Sequence, residues 1–113
     1  MDERQVVKAL QTWCAPEFAD KVMQSGIAEI SASIASVDSV RTIYLRRYHN
    51  APPNSVARAQ ALAVLDALKR VDGADFGMAA FESNGGAKGI VMATLDGEPL
   101  YAFGIRQPDC GET

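Results

Sequence analysis

Residues 27–48, IAEISASIASVDSVRTIYLRRY, decide the fold. Ile27, Ile30 and Ile34 sit at helical spacing, so a helix is one reading of the first half. A hairpin sorts the whole stretch better. A tight turn at Asp38-Ser39 sets Val37 opposite Val40, Ile34 opposite Ile43, Ala32 opposite Leu45 and Ile30 opposite Arg47. The other side of the ribbon then pairs Ala35 with Thr42, Ser33 with Tyr44 and Ser31 with Arg46. One register divides the ribbon into an apolar and a polar face, and a one-residue slip would destroy the division. The expectation is a long β-hairpin over 27–48, on an Asp-Ser turn weaker than Asp-Gly.

A strong helix follows at 55–71, SVARAQALAVLDALKRV. Asn54 or Ser55 can cap it, and Pro52-Pro53 prevent its extension backward. Arg58, Asp66, Lys69 and Arg70 share one sector, while Ala57, Ala61, Val64, Leu65, Leu68 and Val71 span an arc wider than one core-facing stripe. Leu62 falls near the charged sector. Such a helix is either deeply buried or shared with a second surface. Gly73 can end it.

Upstream, residues 1–25 read as two helices. Asp2 caps the first, and Val6, Leu10 and Trp13 give it an apolar stripe. Pro16 opens the second, Phe18, Val22 and Met23 form its apolar face, and Gly26 closes it. Downstream, 76–106 reads as a three-strand meander. Asn84-Gly85-Gly86 makes one turn and Asp96-Gly97 the other. The second turn pairs Ala93 with Leu100 and Val91 with Ala102 on one face, and Met92 with Tyr101 and Ile90 with Phe103 on the other. Neither face is polar, so both must be covered. Residues 107–113 form a polar tail. The expected class is α+β, a single domain over 1–113 in the order α-α-β-β-α-β-β-β. Its mainly antiparallel sheet has about five strands, with the central helix 55–71 packed on it.

The chain of 113 residues has length for one real core. The charged N-terminus is unlike a signal peptide, and no apolar run reaches membrane-span length, so a cytoplasmic location is expected. Cys14 and Cys110 lie far apart without metal-type spacing and read as two free thiols in a reducing compartment. Net charge is −3, unevenly placed: −3 over 1–39, +5 over 40–70 and −5 over 71–113. Overall acidity makes a dedicated nucleic-acid binder unlike this chain.

The segments IAEISASIASVDSVRTIYLRRY, SVARAQALAVLDALKRV and GMAAFESNGGAKGIVMATLDGEPLYAFGI, together most of residues 16–106, resemble in topology and segment length the roadblock (dynein light chain) family plan. That resemblance implies dimers that pair through the central helix and the strand after it, here Arg58, Ala61, Leu62, Leu65, Phe76 and Met78. It also implies non-catalytic scaffolding or regulation, with a small GTPase as one implied partner.

The most reactive-looking cluster is Tyr44, Arg46, Arg47, Tyr48 and His49. Arginine holds phosphate and tyrosine stacks on a base, so an anion or nucleic-acid contact competes with a solvated strand face. His49, the only histidine, is a conceivable general base, but no second catalytic signature accompanies it. The phosphate-loop look of SNGGAKG fails, because Gly89 follows Lys88 and a strand comes next. No metal site and no cofactor is expected. The leading expectation is a small non-catalytic adaptor or regulator acting by protein–protein binding as a homodimer. The alternatives are a nucleic-acid or anion binder using residues 41–48, and a small enzyme using His49.

Overall fold

A computed structural model describes residues 1–71, 75–107 and 110. The expected Gly73 cap and most of the 107–113 tail lie outside the described residues. The order is α1 (Glu3–Trp13), α2 (Pro16–Ser25), β1 (Ile27–Ala35), α3 (Val37–Asn50), α4 (Val56–Leu68), β2 (Phe76–Ser83), β3 (Lys88–Ala93) and β4 (Pro99–Gly104). The fold is α+β with one antiparallel sheet of four strands, in the spatial order β1-β2-β3-β4.

The first two helices form where the sequence places them. Asp2 and Gln5 make a reciprocal capping box that satisfies two otherwise unpaired N–H groups. Pro16 occupies the first turn of α2, and Gly26 at φ 80° ends that helix. Ser55 caps α4, its Oγ accepting from Arg58 N–H at 3.1 Å.

The second half of the expected hairpin is a helix. Ser36 sits in an extended conformation and its Oγ accepts from Ser39 N–H at 3.2 Å, which starts α3. Asp38 lies in the first turn, and Arg47 and His49 lie in the last, as the helix dipole favours. Val37, Val40 and Tyr44 form the buried stripe, with Tyr48 half-buried beside it. The sheet therefore has four strands where about five were expected, and Asp38-Ser39 is no turn. Residues 27–35 do form a strand, but its neighbour is β2: Ile34 faces Gly77, Ala32 faces Ala79 and Ile30 faces Phe81. The long hairpin that supported the roadblock-like plan does not form.

The meander keeps most of its expected register. Ile90 faces Phe103, Val91 faces Ala102 and Met92 faces Tyr101, but a bulge pairs Ala93 with Pro99 rather than Leu100. Its two apolar faces are both covered. Ala79, Val91, Ala102 and Gly104 share one face, where Phe18 of α2 approaches so closely that a Cβ on Gly104 would stand 2.9 Å from its ring. Met92, Tyr101 and Phe103 share the other, where Tyr44 of α3 and Ala61 of α4 line a hollow with Phe103. The sheet is thus the middle of three layers.

Side chains occupy two outward carbonyls of the β4 edge. Arg70 donates to Leu100 O, and Gln60 Nε2 donates to Gly104 O at 2.7 Å. Arg70 also lies 4.6 Å over the Trp13 ring, and Trp13 meets Tyr101 edge-on at 5.7 Å. Cys14 and Cys110 are joined as a disulfide, with Cα atoms 4.1 Å apart, across a sequence separation of 96. This corrects the expectation of two free thiols and removes the argument for a reducing compartment that rested on it. Cys110→Ser is expected to lower unfolding stability by about 2–5 kcal/mol, because a bridge of this span constrains the unfolded chain strongly. Urea titration reads the loss. A titration of the denatured, unreduced chain that finds free thiol would show the bridge absent.

Candidate functional site

The Arg/Tyr cluster lies on a helix, and its members do not share one face. Tyr44 is buried; Arg46, Arg47 and His49 are exposed; Tyr48 is half-buried. Arg47 lies 4.8 Å over the Tyr44 ring, and Arg58 lies 4.3 Å over the Tyr48 ring. The aromatic faces on which a base would stack are thus already occupied by guanidinium groups of the same chain. Burial raises the Tyr44 phenol above its ordinary range, and the Arg47 charge and hydrogen bond oppose that rise. His49 contacts Tyr48 edge-on at 5.6 Å. Among the described residues, no three histidine, cysteine or acidic side chains gather as a metal group would need. SNGGAKG is a hairpin turn, held by Ser83 Oγ accepting from Ala87 N–H at 3.0 Å.

The residues expected to form a dimer face are divided between core and surface. Ala61 and Phe76 are buried in the chain's own core, so no surface contains them. Leu65 and Met78 are half-buried, and Arg58 is engaged with Tyr48. Only Leu62, 48% exposed, stands out from α4 as expected.

The structure draws attention instead to the outer edge of β1. Asn84 N–H donates to Gly26 O, and Ser83 N–H donates to Ala87 O, both at 2.8 Å. Main-chain groups alternate sides along a strand, so the even-numbered residues of β2 turn toward β1. Their β1 partners are Glu29, Ser31, Ser33 and Ala35. The N–H and C=O groups of Ile30, Ala32 and Ile34 therefore point away from the sheet. β1 packs chiefly on β2, and six of its nine residues are exposed. Ile34 is 70% exposed, the most of any large apolar residue described. After Glu29 the strand reads ISASIA, with no charge and no proline.

Over Ile30 to Ala35 such an edge has no lysine, no proline and no bulge, three of the usual guards. The one irregularity on β1 lies at its start, between Ile27 and Glu29. Beside Ile34, on the face that carries α1, an open trough of about 450 Å³ is lined by Met1, Ala32, Gly77 and Leu95. The sequence reading missed this edge because it spent the outer side of residues 30–35 on pairing with 42–47. Its signal was the charge-free ISASIA run itself.

Comparison of the chain with family models, with curated proteins and with solved structures gives no significant match. No helix among the described residues is long and apolar enough to cross a membrane.

The Tyr44 shift has a measurable sign. The folded state holds the neutral phenol, so its contribution to stability is complete below about pH 10 and is lost as pH rises through the raised value. Urea titrations from about pH 8 to about pH 11 should show the natural chain losing stability faster than Tyr44→Phe. Parallel curves would contradict the burial.

Proposed function

We propose that the protein is a non-catalytic binding module, an adaptor or regulator, whose contact element is the free edge of β1. The observation that supports this most is the contrast between the sheet's two edges. On β4, Arg70 and Gln60 occupy outward carbonyls. On β1, the outward main-chain groups of Ile30, Ala32 and Ile34 lie beside exposed apolar side chains. An added strand gains affinity from main-chain hydrogen bonds and specificity from alternate side chains seated in pockets. The trough next to Ile34 is such a pocket.

The other two functions expected as alternatives gain less. Nucleic-acid binding would need free aromatic platforms and a basic domain, whereas the tyrosines of α3 are stacked under arginines and net charge is −3. An enzyme built on His49 would need a second group within hydrogen-bond reach, and the ring's described neighbour is the Tyr48 edge. The small-GTPase partner implied by the roadblock resemblance depended on a hairpin over 27–48, and it is not part of this proposal.

Selection from a displayed library of random extended peptides tests the module. Proline is tolerated on an edge strand whose N–H faces solvent, so Ala32→Pro should fold while deleting one outward donor. Peptides selected on the natural chain should lose at least about tenfold in affinity for Ala32→Pro, the worth of one hydrogen bond and a disturbed ladder. Peptides that bind Ala32→Pro unchanged, and seat elsewhere, would remove the proposal.

A further inference from the structure

We infer that the occupant of the β1 edge is the β1 strand of a second copy, paired antiparallel about a two-fold axis through Ala32. This deepens the proposed function and rests on it. The inference comes from the register that the strand's own geometry allows. Two antiparallel strands related by a two-fold axis normal to the sheet keep their faces, so residues directly opposite lie on the same side. The regular ladder on β1 runs from Glu29 to Ala35, after the bulge at its start. Its midpoint is Ala32.

Centring there sets Ala32 opposite Ala32, Ile30 opposite Ile34 and Ile34 opposite Ile30 of the second copy. All three pairs are residues whose N–H and C=O groups point outward, so each pair exchanges two hydrogen bonds. On the opposite face Ser31 meets Ser33, and Glu29 meets Ala35. The only charge on the strand thus avoids its own copy. A shift of the centre to residue 29 would set Glu29 against Glu29, a like-charge pair that destabilises a ladder.

The side chains also find places. Ile30 of the second copy comes beside Ile34, at the mouth of the trough lined by Met1, Ala32, Gly77 and Leu95. Leu95 is itself 59% exposed. The two-fold brings two such troughs to one face, one on each side of the strand pair. A heterologous peptide could fill the same edge. The self-matching of Ile with Ile, Ser with Ser and Glu with Ala about one residue is what favours a copy of this chain.

Single-cysteine cross-linking reads the register directly. A hydrogen-bonded antiparallel pair holds Cα atoms about 5.5 Å apart, inside the range a disulfide spans. Ala32→Cys should become a covalent dimer under mild oxidation, while Ser31→Cys, opposite Ser33 in this register, should stay monomeric. Both sites are exposed, so both variants should fold. The natural chain should sediment at twice its 12.1 kDa, and Ile34→Lys should return it to the single mass. Ala32→Cys remaining monomeric, or cross-linking no faster than Ser31→Cys, would overturn the inference. If peptides still bind through β1 while Ala32→Cys remains monomeric, the module stands and the second copy does not. If neither occurs, both are wrong.

Discussion

Two apolar faces on one three-strand meander set the terms for everything else in this protein. Val91 and Ala102 look to one side, Met92, Tyr101 and Phe103 to the other, and all five are buried. Each large side chain so buried contributes about 1.5–3 kcal/mol, and none of that is available if either face stays wet. The chain meets the requirement by dividing its helices, α1 and α2 to the face of Gly104 and α3 and α4 to the face of Phe103. Where a helix presses closest, the sheet offers glycine: a Cβ on Gly104 would stand 2.9 Å from the Phe18 ring of α2.

That division explains the position of β1. The α3–α4 pair runs from the end of β1 to the start of β2, and it folds back over the meander rather than over β1. β1 is left with one ladder and little cover. Its composition fits that place, since small serine and alanine side chains lose little by facing water, whereas Ile34 does not.

Most of the architecture was legible where local signals agreed. The Asp2 cap, Pro16, Gly26, Ser55 and the meander register all follow from side-chain chemistry within a few residues. Residues 37–50 were not legible by alternation, because over so short a span periods of 2 and 3.6 select overlapping residues. Val37, Val40 and Tyr44 satisfy the helix, yet Ile43 and Leu45 alternate as one face of a strand would. The deciding signals lay at the ends: Ser36 before the first turn, Asp38 within it, and Arg47 with His49 in the last. The candidate site was hidden by the same error, since a false partner strand covered the edge. The disulfide was hidden for a different reason. Sequence separation says nothing about proximity, and only the packing of α1 beside β4 brings Cys14 to Cys110.

An open sheet edge carries a hazard, because a six-residue run without charge or proline is the kind that stacks into fibrils. Here the two edges limit it together. Continued growth needs two open edges per molecule, or one edge and a dry face. The β4 edge is occupied by Arg70 and Gln60, and both sheet faces of the meander lie beneath helices. On β1 itself, Glu29, Ser31 and Ser33 keep one face polar, which disfavours dry stacking of strand upon strand. What remains is one strand that can accept one neighbour. Under two-fold pairing each copy spends its β1 edge on the other, so that strand ladder closes at two.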